Sequence, residues 1–444
     1  MFHSARLRCR CEKQFFNIHF LQYPAFKPRI FASYFQNRIV AILLARYSRF
    51  GKMSRVRPHP AGRCSFRWNQ RNQRNQQIGM SMMKRINVVV LMALALPVLA
   101  YAQTSVTVYG IVDAGLTSVS NQAAANGQGS HNTVLATGIQ TPNLLGFRGT
   151  EDLGGGLKAV YLLENQFALE NGQTIGNGLF TRQSYVGLSG PWGTVTGGNQ
   201  YEFMFDTLTV RRLGPVLPYI GLYNFQQGPF QALGSSFGGF DFNRLAGAFR
   251  VANSLKYVSN NLGGFTLGGM YGLGEVAGSN SQNSTSSLGV NYDNGPLGLA
   301  AAYTNAKQSD INNGNNGIRN FGLGGRYRFG TLTLDGLYTN TKNTLTNGKV
   351  NVYEIGVTAP VAASTTVRVD YEYMSGNAQL ANDKANQAGV TLDYALSKRT
   401  DLYSTLVYQK VSGDNNPTAF INGLPGASAS GNQSALRFGM RHFF

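Results

Sequence analysis

Several residue types are scarce in this sequence of 444 residues, and each scarcity excludes a class of protein. All three cysteines, Cys9, Cys11 and Cys64, lie near the start, so the rest of the chain can form neither a disulfide framework nor a thiolate metal site. From residue 103 onward there are two histidines, His131 and His442, and no G-x-S-x-G motif. These absences argue against a hydrolase and against a metal centre. We therefore expect no catalytic residue, no metal ligand and no cofactor.

The basic excess of the chain, formally +19, is confined to its first 102 residues. They hold 18 of the 39 Lys and Arg residues and one acidic residue, Glu12. Residues 103–444 hold 21 basic and 19 acidic residues together with 51 of the 54 glycines. A segment so nearly neutral is not a nucleic-acid-binding module, and we expect no nucleic-acid partner.

Residues 83–102 (MKRINVVVLMALALPVLAYA) have the three parts of a secretory signal peptide. Two basic residues precede an apolar core at 88–98, and small residues occupy positions 100 and 102. This pattern predicts cleavage between Ala102 and Gln103. The core is shorter than the roughly 20 residues of a spanning helix, although a signal anchor or a buried helix is the alternative reading.

Signal peptides are N-terminal, yet residues 1–82 precede this one. They are rich in Arg, Gln and aromatic residues and show no sustained period of 2 or 3.6. Met80, Met82 and Met83 are plausible starts of translation. We expect residues 1–82 to be an unstructured upstream extension from a misassigned start, and the alternative is a genuine basic extension that binds a partner.

The mature segment, 103–444, alternates between apolar and polar residues. In 366–373 (TVRVDYEY) the valines and tyrosines fall on one face and the charged residues on the other. Segments 389–397 and 435–444 repeat the pattern, and no apolar run of 18 residues occurs. Such a period of two predicts strands with one apolar and one polar face.

Two all-β architectures fit this pattern, a soluble sandwich and a membrane barrel. The export signal, the aromatic residues near strand ends and segments of about 10 residues favour the barrel. Connections also alternate in length: short ones such as 154–156 contrast with long Asn-, Ser- and Gly-rich ones such as 119–141 and 412–430. Short turns at one end and long loops at the other are typical of a barrel in the outer membrane.

Sixteen segments of this kind can be counted, beginning with 104–117 and 143–152 and ending with 431–444. We therefore predict a 16-stranded antiparallel transmembrane β-barrel with an aqueous lumen. Residues 202–249 show no alternation, and a connection of that length is usually functional. We expect it to fold into the lumen and narrow it.

Five segments carry a resemblance to a known family, the trimeric general-diffusion porins of Gram-negative outer membranes, in the branch that ends in G-x-R-H-x-F. They are VTVYGIVDAGL (106–116), LGFRGTEDLGGGLKAVY (145–161), RQSYVGLSGPWGTVTGG (182–198), ANSLKY (252–257) and GMRHFF (439–444). The resemblance covers 103–444. It implies a homotrimer that contacts lipid and lipopolysaccharide and passes ions and small hydrophilic solutes. It also implies that Phe444 is an assembly signal and that the third loop constricts the pore.

The resemblance further implies basic wall residues at the constriction. Arg182, before QSYVGL, matches a wall arginine and is the strongest assignment, while Arg244 and Arg250 match further basic positions. Leu144 stands where the family commonly has Arg; Arg148 faces the lumen by strand parity and could compensate. We expect weak anion selectivity with Arg182 as the largest contributor.

The third loop, 202–249, supplies Glu202, Asp206 and Asp241, which either oppose these arginines or cap and pin the loop. It also carries Arg211 and Arg212. Further acidic residues face the lumen by parity and are expected to be solvated parts of the wall: Glu354, Asp370, Glu372 and Asp393. A solute-specific channel or an adhesin-like barrel on the same fold is the alternative function, since fold does not fix function.

Overall fold

The computed structural model describes residues 105–209, 214–218, 221–234 and 239–444. Its main elements are seventeen strands, one short helix and four single 3₁₀ turns. The strands are β1 Ser105–Ala123, β2 Gly129–Thr137, β3 Leu144–Gly154, β4 Leu157–Gln166, β5 Gln183–Gly190, β6 Gly193–Gln200, β7 Val251–Val258, β8 Phe265–Gly272, β9 Thr285–Asn294, β10 Leu297–Lys307, β11 Gly317–Phe329, β12 Leu332–Asn343, β13 Lys349–Ala362, β14 Thr365–Gly376, β15 Lys384–Ala395, β16 Thr400–Ser412 and β17 Asn432–Phe443. The helix α1 is Phe203–Leu208, and the 3₁₀ turns are Leu222–Asn224, Gln231–Leu233, Asn312–Gly314 and Ala378–Leu380.

All seventeen strands belong to one antiparallel sheet that closes on itself, because β17 pairs with β1 along 111–119. Both β2 and β3 pair with the long strand β1, β2 with its second half and β3 with its first half. They are therefore two halves of one barrel strand, and the barrel has the sixteen strands that the sequence predicts. Among the described residues no helix is long and apolar enough to cross a membrane.

The first hairpin differs from the prediction, which made 119–141 a long loop. Strand β1 continues to Ala123, and β2 occupies 129–137, so the connection spans only 124–128. Residues 138–143 form an inward interruption between β2 and β3, and Asn143 Oδ1 accepts the backbone N–H of Asp113 at 2.6 Å. The prediction missed this part of the hairpin because its residues do not alternate between apolar and polar, and backbone hydrogen bonds alone leave no pattern in the sequence.

The apolar faces point away from the lumen. On β16 and β17, Leu406 is 50% and Phe438 is 62% exposed, whereas the neighbouring inward residues Thr405 and Arg437 are buried. A sandwich would bury the apolar set instead. The observed arrangement is that of a barrel whose outer surface meets lipid.

The third loop, which connects β6 to β7, folds into the barrel as predicted. Helix α1 packs against the inner surface of β8 to β11. Its Phe203 ring occupies space that Gly268 and Gly289 leave open, since a Cβ at either glycine would come within 2.6 Å of ring atoms. Full burial of a Phe side chain is worth about 1.5–3 kcal/mol, so the loop is held by an apolar cluster that it shares with the barrel wall.

Candidate functional site: the pore constriction

Two arginines converge on one wall residue beside the third loop. The Arg182 Nη1 and the Arg250 Nη2 each donate a hydrogen bond of 3.0 Å to Gln166 Oε1. Both guanidinium groups also stack over the Tyr201 ring, at 5.5 Å and 5.0 Å from its centre. We call Arg182 and Arg250 the arginine pair.

Strand ends position the pair. Gln166 is the last residue of β4, and Arg182 and Arg250 immediately precede β5 and β7. The Arg182 backbone N–H donates to the Glu164 carbonyl oxygen at 3.1 Å, which extends the ladder to this level. Leu144, at the start of β3, lies opposite Gln166 in the strand register. An apolar side chain therefore stands beside the pair, at the position where the resemblance leads us to expect a further arginine.

The two members of the pair differ in exposure and in charge balance. Arg182 is 7% exposed, and its Nε lies 3.6 Å from Glu164 Oε2. Arg250 is only partly buried. Burial lowers the pKa of the Arg250 guanidinium and the charge of Arg182 lowers it further, but a guanidinium stays protonated in proteins. Arg250 is thus the more accessible positive charge.

Arg148 lies apart from the pair. It is further along β3 than Leu144, toward the turn at Gly154–Gly156, whose positive φ angles favour glycine. Its exposed side chain lines a cavity of about 650 Å³ and stacks over the Tyr109 ring at 5.1 Å.

Glu202 caps the helix of the third loop. Its carboxylate accepts the backbone N–H groups of Met204 at 2.7 Å and Phe205 at 3.3 Å and the Thr304 hydroxyl at 2.5 Å. The side chain is completely buried, and burial raises the pKa of its carboxyl group. Glu202 therefore joins α1 to the wall strand β10.

Asp241 organises the return of the loop. Its carboxylate accepts the backbone N–H groups of Ala246 at 2.8 Å and Ala248 at 2.7 Å, and burial raises the pKa of the carboxyl group to about 7. Arg244 is 4% exposed, stacks over Phe249 at 4.5 Å and donates from Nε to Asn320 Oδ1 at 3.0 Å. Both residues hold the loop in place.

Lys256 completes the anchoring, and the sequence prediction did not include it. Its ammonium forms a buried ion pair with Asp206 and donates a hydrogen bond of 2.7 Å to the Tyr201 carbonyl oxygen. The alternation within ANSLKY puts Lys256 on the lumen face, and this pattern could have identified it from the sequence. Of the two roles left open for the loop acids, the contacts of Glu202, Asp206 and Asp241 match capping and pinning.

A second anchor lies where solvated wall residues were expected. Arg368 donates to Asp335 Oδ1 at 2.8 Å and to Glu354 Oε1 at 3.1 Å, and its Nε lies 3.4 Å from Asp370 Oδ1. The third loop covers this cluster: Gln226 donates to Glu354 at 3.0 Å. Glu354, Asp370 and Glu372 are at most 5% exposed. The expectation of solvation fails for these three because strand parity shows the facing direction but not what covers that face. Asp393, the fourth acid, is partly exposed and lies 3.2 Å from Arg441 Nη2.

Phe444 follows β17 at the closing seam of the barrel. Its backbone N–H donates to the Gly110 carbonyl oxygen, and its carbonyl oxygen accepts the Gly110 N–H, both at 3.0 Å. The predicted cleavage pair Ala102 and Gln103 and the loop residues Arg211 and Arg212 lie outside the described residues. In the described ranges no group of three or more His, Cys, Asp and Glu residues could hold a metal ion.

Comparison with known proteins identifies the family of this barrel. The profile of the Gram-negative porin family matches residues 88–414. The chain belongs to that family. Outer membrane porin protein 32 of Delftia acidovorans is 34% identical to this porin over 385 residues, which cover 81% of this chain and 99% of the relative. The porin lies in the outer membrane, and its barrel encloses a diffusion channel.

Solved structures give the same fold. The anion-selective porin from Comamonas acidovorans is 30% identical, with a TM-score of 0.63, and the match covers 77% of this porin and all of that chain. The trimer form of OmpT from Vibrio cholerae matches with a TM-score of 0.56 over 77% of this chain and 99% of its own. It is 15% identical, so that likeness concerns the fold alone.

Proposed function

We propose that this porin is a passive, weakly anion-selective channel for ions and small hydrophilic solutes, with no catalytic step. The observation that carries the proposal is the arginine pair, in which Arg182 and Arg250 share one neutral acceptor, Gln166 Oε1, at 3.0 Å. Fixed positive charge at a narrow passage lowers the energy of a passing anion and raises that of a cation. The 30% identical porin from Comamonas acidovorans is described as anion-selective, which supports the same sign here.

The charges are proposed to differ in weight. Arg250 acts most strongly because it is the more accessible member of the pair. Arg182 is more deeply buried than Arg250, and the Glu164 carboxylate partly balances its charge. Arg148 adds a positive potential in the wider cavity. The buried acids of the third loop contribute little to the lumen because their carboxylates face backbone N–H groups and Lys256.

Measurement of the zero-current potential across a planar bilayer under a KCl gradient tests the proposal. The expected result is a potential of the sign set by chloride as the more permeant ion. A wild-type channel that prefers potassium would overturn it.

Assembly and processing are part of the proposal. We propose a homotrimer in contact with lipid and lipopolysaccharide, supported by the exposed apolar outer faces of the first and last strands, such as Val106, Val108 and Phe438. We also propose that residues 83–102 are removed as a signal peptide, that 1–82 is an upstream extension, and that Phe444 serves as the assembly signal. Removal of the signal peptide would make Gln103 the first residue of the mature porin.

A further inference from the structure

Among the described residues that line the cavity at Arg148, one cation has no carboxylate partner. Among the residues that line it, Lys256 is paired with Asp206. Arg148 is exposed to the cavity, and within the described ranges no carboxylate lies at ion-pair distance from it. An exposed guanidinium in such a place can bind an incoming anion without first breaking an ion pair.

The aromatic wall next to Arg148 is held in place. A Cβ at Gly146 would lie 2.4 Å from Tyr109 Cζ, so the missing side chain at that glycine lets the ring lie against the barrel wall. The Tyr109 hydroxyl donates a hydrogen bond of 2.6 Å to Glu164 Oε1. The ring is thus fixed by packing and by a hydrogen bond, and Arg148 stacks over it at 5.1 Å.

Apolar and aromatic groups continue along the same wall. Leu162 on β4 pairs with Arg148 of β3 on one side and with Tyr185 of β5 on the other. Val160 and Tyr185 are partly exposed and line the cavity. The volume of about 650 Å³ lies within the range of about 300–1,000 Å³ that is typical of small-molecule sites.

We propose that this cavity holds a subsite for amphipathic organic anions, in which Arg148 binds a carboxylate and Tyr109, Tyr185 and Val160 contact its aromatic body. A guanidinium fits a carboxylate with two parallel hydrogen bonds, which a spherical chloride cannot form. The inference deepens the proposed function and rests on it, since it gives the anion-conducting lumen a preferred class of organic solute.

The test uses benzoate, with acetate as the anion that lacks a ring and benzyl alcohol as the ring that lacks a charge. Each is added to wild-type channels that carry a chloride current. Benzoate is expected to reduce the current in a saturable manner, at a half-blocking concentration about tenfold below that of acetate, because ring contact adds to the charged hydrogen bonds. Benzyl alcohol is expected to have little effect.

Two variants separate a subsite from a general field effect. In Arg148→Gln the half-blocking concentrations of benzoate and of acetate should both rise about tenfold, because both anions lose the same charged hydrogen bonds. In Arg148→Lys, which keeps the charge and loses the planar fork, the block by both carboxylates should weaken, while the KCl potential stays as in wild type. Circular dichroism of the β-sheet checks folding.

Equal half-blocking concentrations of benzoate and acetate in wild type would overturn the subsite, as would an Arg148→Gln variant that leaves the benzoate block unchanged. The proposed function is judged separately from the KCl potential. A channel that prefers potassium can still show the benzoate block, and an anion-selective channel can lack it, so the two failures are distinguishable.

Discussion

Removal of the Arg250 charge should weaken the preference for chloride more than removal of the Arg182 charge. The substitutions Arg250→Gln and Arg182→Gln each delete one positive charge and keep a polar side chain. They act at one place, since both guanidinium groups bond to Gln166 Oε1. They differ in access to the lumen, because Arg182 is 7% exposed and Arg250 is only partly buried.

The magnitude follows from Coulomb's law in water. A unit charge about 6 Å from a passing ion shifts its energy by about 0.7 kcal/mol, so chloride and potassium separate by about 1.4 kcal/mol. A Debye length of about 10 Å at 0.1 M salt roughly halves this value, which leaves about a fourfold change in the permeability ratio. If the more deeply buried Arg182 acts from about 10 Å, its removal changes the ratio by less than about twofold.

The assay is the zero-current potential under a KCl gradient. Leu144→Arg should shift the potential in the opposite direction, because it adds a charge opposite Gln166. Arg399→Gln is the matched control: this arginine is exposed in the turn between β15 and β16, and its loss should change nothing measurable. An unchanged potential in Arg250→Gln, or an equal shift in Arg399→Gln, would refute the reasoning.

Four further predictions concern processing, assembly and loop anchoring. Mass spectrometry of the outer-membrane species should find Gln103 as the first residue, and peptides from 1–82 would contradict this. An unheated gel or native mass measurement should show a trimer, and a monomer alone would argue against it. Lys256→Met should lower the free energy of unfolding by about 3–5 kcal/mol, since it leaves the Asp206 carboxylate buried without its ammonium partner. Denaturant titration measures this change, and an unchanged midpoint would show that the ion pair is dispensable. The Asp241 pKa is raised from 3.8 to about 7, so the folded state binds the proton more tightly, and stability should fall as the pH rises from 4 to 7. Asp241→Asn should flatten this dependence, and an equally steep profile in the variant would place the effect elsewhere.

The barrel could be predicted because each strand carries its own signal. Lipid demands an apolar outer face, so alternation appears in every segment that crosses the membrane. Strand β2 and the last residues of β1 were missed because their backbone ladder continues without that alternation. A ladder of backbone hydrogen bonds has no sequence pattern where neither lipid nor a core selects the side chains.

The constriction was only partly predictable, for a different reason. Arg182 and Arg250 were predicted because they adjoin recognisable strand motifs, and both bond to Gln166 in the structure. Gln166, which joins them, is a neutral residue at a strand end and has no signal of its own. The anchors of the third loop join residues far apart in the chain, as Glu202 and Thr304 do, and irregular backbone leaves no period from which such a pairing can be inferred.

Charge selectivity follows from which charges the third loop buries, rather than from the number of charged residues nearby. The sequence assigns four arginines and three acids to the constriction and places two more arginines, Arg211 and Arg212, on the third loop. Burial withdraws the three loop acids and Arg244 from the lumen, because each is at most 4% exposed and engaged in holding the loop. Of the four arginines predicted at the constriction, Arg148 is exposed and Arg250 is partly exposed. Arg182 is buried, and its Nε lies 3.6 Å from Glu164 Oε2. Since one arginine is partly balanced and Leu144 occupies the place of another, the preference for anions is expected to be weak.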